Sequence, residues 1–227
     1  MNFVFPPAPP VVLPIVGCDT VFPVRRVYCV GQNYSEHAIE MGGDGRQPPL
    51  FFSKPADALV PGGGDVVYPP ATSNLQHEVE LVVALRRGGV RIPVEEANDC
   101  VLGYAVGIDL TRRDLQAQAK EKGRPWDLSK GFDQSGPISA IRAVSDGNLV
   151  DAGAIWLKVN SELRQRGDLS QMTWKVAEVI ANLSNYVSLA AGDLIFTGTP
   201  AGVSTIIRGD VIEAGVEGVG ELTIRLV

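Results

Sequence analysis

The 227-residue chain predicts one strand-rich domain with a few short helices. Short apolar runs bounded by Gly, Pro or Asp recur along it, as in Leu81-Val82-Val83-Ala84-Leu85 and Tyr104-Ala105-Val106-Gly107-Ile108, and such runs read as strands. Helical spacing is confined to a few brief stretches, and no linker divides the chain beyond its proline-rich start. The length is sufficient for a full hydrophobic core.

A hydrophobic share of 45% with 20% charged residues is ordinary for a globular protein. The net charge of -6, with no basic cluster, argues against nucleic acid as a partner while leaving room for a small anionic ligand. Cys18, Cys29 and Cys100 lie far apart without a Cys-x-x-Cys pair, which fits a reducing cytoplasm. No apolar run has the length of a membrane span or signal, so a membrane location is not expected.

Residues 1–24 carry Pro6, Pro7, Pro9, Pro10, Pro14 and Pro23, which block regular helix and predict an extended arm; residues 25–227 form the domain. Arg26-Val27-Tyr28-Cys29-Val30 predicts a strand ending at Gly31. A short helix starts near Asn33 or Ser35 and stops at Gly42-Gly43, and on it His37 and Glu40 stand three apart on one face. That pair suits a carboxylate orienting an imidazole on a mobile lid, and equally suits a solvated helical pair. Leu50-Phe51-Phe52-Ser53-Lys54 and Val66-Val67-Tyr68 are further strands, and Lys54 at its strand end could hold an anion or cap an edge.

Asn74-Leu75-Gln76-His77-Glu78-Val79-Glu80 leads into the apolar run 81–85. Alternation on a strand puts Glu78 and Glu80 on one side, so two carboxylates share a small volume. Oxygen-only ligands at that spacing suit a hard divalent ion, Mg2+, Mn2+ or Ca2+, and call for a third oxygen ligand elsewhere. The alternative is an edge strand with an acidic outer face. A strand continuing as five apolar residues favours burial, where carboxylates need a partner.

The strand 104–110 carries Asp109 where strand gives way to helix, and Thr111 is the expected N-cap of a helix over 112–122 closed by Gly123. Asp109 sits where a functional carboxylate is common and where one can also serve the helix dipole. Arg112, Arg113 and Gln116 on the first turns could reach the same cavity, whereas Lys120, Glu121 and Lys122 read as a solvated face. Trp126 to Phe132 predicts an irregular loop that frees Lys130 to point inward. Residues 155–165 predict a hairpin, and Val176, Val179, Ile180, Leu183 and Val187 form one apolar helical stripe. Beyond Leu194 short strands follow, with Thr197-Gly198-Thr199-Pro200-Ala201-Gly202 a glycine-rich loop able to offer backbone N–H groups and Thr199 to a carboxylate.

From Arg26 onward the chain resembles the fumarylacetoacetate hydrolase superfamily, and within it the short acylpyruvate and fumarylpyruvate hydrolase branch. The resemblance is carried, in order, by Tyr28-Cys29-Val30-Gly31-Gln32-Asn33-Tyr34, His77-Glu78-Val79-Glu80, Gly107-Ile108-Asp109-Leu110-Thr111, Lys130-Gly131-Phe132 and Thr197-Gly198-Thr199-Pro200. It implies an α+β fold in which mixed sheets roll around a central metal site, usually in a homodimer. It implies a divalent metal, Mg2+ first, on Glu78, Glu80 and Asp109; His37 and Glu40 as a water-activating pair; and Lys130 as stabilising cation. Lys54, Arg113, Gln116 and Thr199 would bind substrate. The implied reaction is hydrolysis of a small anionic 2,4-dioxo acid, fumarylpyruvate or a related acylpyruvate, to pyruvate and a carboxylic acid, as in gentisate breakdown. The alternative is decarboxylation of oxaloacetate. For a second substrate carboxylate, Arg25, Arg26, Arg112 and Arg124 stand equal.

Overall fold

The computed structural model describes residues 2–34, 47–144 and 149–227. Strands β1 (Val12–Pro14), β2 (Val21–Pro23), β3 (Arg26–Gly31), β4 (Leu50–Lys54), β5 (Leu59–Pro61), β6 (Gly64–Val66), β7 (Leu75–Gln76), β8 (Val79–Leu85), β9 (Val101–Ile108), β10 (Thr111–Arg112), β11 (Gly136–Ile138), β12 (Arg142–Ala143), β13 (Ala154–Val159), β14 (Glu162–Asp168), β15 (Asp193–Phe196), β16 (Val211–Val216) and β17 (Gly220–Leu226) are joined by few helices. Among the described residues the α-helices are α1 (Val94–Ala97), α2 (Arg113–Glu121), α3 (Asp127–Lys130) and α4 (Val176–Leu183).

The larger sheet runs β4-β3-β15-β8-β9-β11-β5, with β12 also on β9, and the second runs β14-β13-β16-β17-β6. Both are mixed: β15 pairs β3 in parallel and β8 antiparallel, and β17 pairs β6 in parallel and β16 antiparallel. The α+β expectation of mixed sheets with short helices holds.

Strand β8 is the spine. Every residue of it is buried. Leu81, Val83 and Leu85 enter the core shared with Ile155, Ile212 and Ile224 of the second sheet, while Val82 and Ala84 enter a second core with Leu13, Phe22 and Phe196. The period of two therefore sets two packed faces, as expected for a strand apolar on both sides. Leu13 and Phe22 belong to the proline-rich segment, whose β1 and β2 form an antiparallel pair with only these central side chains buried.

Across from Glu80 on β9 stands Gly107. A Cβ there would lie 2.5 Å from the Phe196 ring and 2.6 Å from Val82 Cγ2. Gly107→Ala is expected to destabilise by about 1–3 kcal/mol through overpacking, lowering the melting temperature by several degrees in a thermal scan. An unchanged melting temperature would mean that β8 and β9 separate freely at this point.

Several sequence expectations change in detail. The strand placed over 66–68 is Gly64–Val66, because backbone pairing with the chain end begins inside the glycine turn. Thr111 does not cap α2: it pairs with Gln76 in a two-residue ladder, and its hydroxyl donates to the Asp109 carbonyl at 3.1 Å. Trp126 to Phe132 contains a helical turn, α3, ended at Gly131. The 155–165 hairpin forms, turning at Asn160 and Ser161 with φ of 51° and 66°. Helix α4 buries Val176, Val179, Ile180 and Leu183 of the expected stripe, whereas Val187 lies beyond its end and is half-buried. The helix predicted near residues 35–41, with His37 and Glu40, lies outside the described residues. Among those described, Cys18, Cys29 and Cys100 are free thiols, and no helix is long and apolar enough to cross a membrane.

Candidate active site

Glu78, just before β8, Glu80 within it, and Asp109, just after β9, bring carboxylate oxygens within 4.8 Å of one another, and all three are buried. The antiparallel pairing of β8 with β9 accounts for this, since Val79 faces Ile108 and Glu80 faces Gly107. Asp109 thus stands where a third oxygen, as sought from the sequence, could be offered.

Among the described residues, three cations surround the acids. Lys130 Nζ donates to Glu78 Oε2 at 2.8 Å and to Asp109 Oδ2 at 2.7 Å, and Arg113 Nη2 lies 2.5 Å from Glu78 Oε1. Lys54 Nζ is 2.8 Å from Asp109 Oδ1 but off the direction of a hydrogen bond, so that buried oxygen receives none. Burial opposes the charge on Lys130, yet Asp109 and Glu78 outweigh it and raise its proton affinity above that of an ordinary lysine. Glu80 differs from its neighbours: among the described residues it has no cationic partner and accepts only the Gly198 N–H, at 2.7 Å. Burial first, then Asp109 and Glu78, push its carboxyl well above the usual range.

These features fit a divalent cation. Buried oxygen donors from three side chains, one atom unbonded and one carboxyl reluctant to ionise, match the chemistry of a hard ion. Glu78, Glu80 and Asp109 are the residues that could hold it.

The glycine-rich loop supplies the opposite wall. Gly198 has φ of 95°, and a Cβ on it would lie 2.8 Å from Asn33 Cβ, so only glycine delivers this N–H to Glu80. Asn33 pins the loop: its amide donates to the Thr197 carbonyl at 2.8 Å and to the Trp174 carbonyl at 2.9 Å. Thr199, Arg113 and Gln116 line the cleft beside the carboxylates, together with Lys120 and Trp126. Arg113 is braced by Gln76 Oε1 at 2.7 Å and Gln116 Oε1 at 2.6 Å.

Lys54 requires correction as a substrate ligand. Its side chain is fully buried, and Nζ donates to the Lys130 carbonyl and to Ser135 Oγ, so it anchors Asp109 and the Lys130 turn from behind. Lys120 is exposed, as expected, and its exposed face also lines the cleft.

Gln165 was missed. Alone among the middle residues of the exposed strand β14 it is buried, and its Nε2 donates at 2.8 Å both to Thr199 Oγ1 and to the Pro200 carbonyl. Its Oε1 accepts from Val79 N and contacts His77 Nδ1 at 2.8 Å. Because that oxygen only accepts, His77 carries its proton on Nδ1, leaving Nε2 to accept from Ser204 at 2.9 Å. Burial lowers the proton affinity of His77 and keeps it neutral. No local signal marks it, because its same-side neighbours on the strand, Leu163 and Gly167, are exposed and half-buried.

The family model described as fumarylacetoacetate (FAA) hydrolase C-terminal matches residues 26–227. A crystal structure of fumarylpyruvate hydrolase from Pseudomonas aeruginosa in complex with Mn2+ and pyruvate superposes with a TM-score of 0.96 at 49% identity, covering 100% of this chain and 99% of that one. Fumarylpyruvate hydrolase of a Ralstonia species is 44% identical over 78% of this chain and 92% of its own. The mitochondrial oxaloacetate tautomerase of Rattus norvegicus is 43% identical over 89% and 91%.

Proposed function

The chain belongs to the fumarylacetoacetate hydrolase family, and from that premise we propose that it hydrolyses the carbon–carbon bond of a 2,4-dioxo acid, fumarylpyruvate first, to pyruvate and a carboxylic acid. The carrying observation is the Glu78, Glu80 and Asp109 cluster with Lys130 bound across two of its members beside the cleft. These carboxylates would hold Mg2+ or Mn2+, which when bound supplies Lewis acidity toward the carboxylate and 2-keto oxygens of the substrate.

Arg113, Gln116 and Thr199 orient the acid along the cleft. His37, turned by Glu40, takes a proton from water and directs the attack at the 4-keto carbon; this role rests on the motif alone. Lys130 lends positive charge to the pyruvate enolate oxygen as the bond between C3 and C4 breaks, and C3 then takes a proton. The unit performing this chemistry is residues 25–227, acting as a homodimer in the cytoplasm.

A second reading, chemistry on oxaloacetate, is favoured by identity to the rat tautomerase. Lys130 would serve the enolate of oxaloacetate equally, without an attacking water. Purified protein with Mn2+ or Mg2+ is assayed on fumarylpyruvate by ultraviolet absorbance and on oxaloacetate for enol, pyruvate and CO2, with EDTA controls. A much higher kcat/KM on fumarylpyruvate supports the hydrolase, and preference for oxaloacetate replaces it. His37→Ala is expected to lose at least about a hundredfold in hydrolysis with Mn2+ affinity unchanged. Persisting hydrolysis would remove His37 from the base role.

A further inference from the structure

Helix α2 offers the cleft one face, Arg113, Gln116 and Lys120, at spacings of three and four residues. The first two lie at the carboxylate end, where Arg113 is paired with Glu78. Lys120 comes seven residues after Arg113, about 10 Å further along the helix. Its Nζ stands 5.1 Å from the centre of the Trp126 ring, which also lines the cleft and packs against Phe52.

Among the described residues, the other cations at this site are engaged. Arg113 and Lys130 are paired with Glu78, Lys130 and Lys54 with Asp109. Lys120 has no ion pair there, and Trp126 holds it without neutralising it. The arginines left equal by the sequence are placed elsewhere. Arg25 is bound to Asp193 by two contacts at 3.0 Å, Arg26 donates to the Tyr28 hydroxyl, and Arg112 stacks on Phe132 at 4.3 Å. Arg124 lies in an adjoining groove beyond Trp126.

We propose that Lys120 is the specificity residue of this cleft, binding the distal carboxylate of a dicarboxylic 2,4-dioxo acid whose other end faces Glu78, Glu80 and Asp109. With carbon–carbon bonds near 1.5 Å, an extended seven-carbon diacid spans roughly 7–8 Å between its carboxyl carbons, which matches the offset along α2 within the reach of a lysine. Trp126 lies against the intervening carbons and fixes the ammonium.

The inference rests on the hydrolase reading, and the test separates the two. Wild type, Lys120→Met and Lys120→Arg, each loaded with Mn2+, are compared on fumarylpyruvate and on acetylpyruvate, which ends in a methyl group. Lys120→Met is expected to lose roughly thirtyfold in kcat/KM on the diacid, mostly through KM, to stay within about twofold of wild type on acetylpyruvate, and to be largely rescued in Lys120→Arg. Equal losses on both acids, or none on the diacid, overturn the role of Lys120 and leave the hydrolase reading standing. Calorimetric titration of the metal-free proteins with the same two acids scores Lys120 without turnover. A wild type that cleaves neither acid ends the hydrolase reading, and diacid binding undiminished in Lys120→Met ends the inference.

Discussion

Lys130→Met is expected to lower kcat on a 2,4-dioxo acid by about 10²–10³-fold, with a smaller change in KM, because it removes a charge whose value rises as the enolate forms. The side chain is buried, its ammonium bonded to Glu78 and Asp109, with the Phe52 ring 5.2 Å away. Methionine keeps a stem of similar length in this setting and deletes only the charge. Arginine is no substitute, since a planar fork cannot occupy a point between two carboxylates already 2.7–2.8 Å from Nζ. The folded protein raises the proton affinity of Lys130, so its stabilising contribution is fully present below the ordinary lysine value of 10.5 and fades only above it. The loss of kcat should therefore be constant across neutral pH. Metal-free Lys130→Met should also melt below metal-free wild type, since two buried carboxylates lose their shared partner. A kcat within tenfold of wild type, in protein that melts normally with Mn2+, would remove Lys130 from the chemistry.

What could be read from the sequence follows which contacts are periodic and which are tertiary. Glu78 and Glu80 were legible because alternation is a property of one strand, and Asp109 because a carboxylate closes the next apolar run. Both ends of the β8–β9 ladder could thus be anticipated, though not the pairing that brings them together. Lys120 was hidden by its neighbours. Glu121 and Lys122 suggested a solvated run, although the spacing from Arg113 through Gln116 already continued to Lys120. Lys54 and Gln165 depend on contacts across the fold, with Asp109 and with Thr199, that no local pattern specifies. Thr111 failed as a cap because ladder pairing with Gln76 competed for the same backbone. The proline segment concealed two buried side chains, Leu13 and Phe22, between residues that only mark extended chain.

Glu80→Gln is expected to weaken Mn2+ binding by at least about a hundredfold and to take turnover with it, while the fold survives. The amide keeps an oxygen for the Gly198 N–H and removes only the ability to become an anion. In the metal-free protein Glu80 retains its proton well above the usual carboxylate range, chiefly through burial and then through Asp109 and Glu78. For a carboxyl raised in this way the sign is the reverse of an ion-paired acid: its contribution to stability is present at low pH and is lost as pH climbs past the unfolded value near 4.5. A divalent ion needs the anion, so binding must expel the proton. Mn2+ affinity should then rise with pH, by up to about tenfold per unit, for as long as Glu80 is protonated in the metal-free protein. Calorimetry in buffers of different ionisation enthalpy should report about one proton released by wild type and none by Glu80→Gln. Affinity independent of pH, or an amide variant that binds as tightly as wild type, would mean that Glu80 acts as a neutral acid bonded to the glycine loop. The ion would then be held by Glu78 and Asp109 with other oxygens.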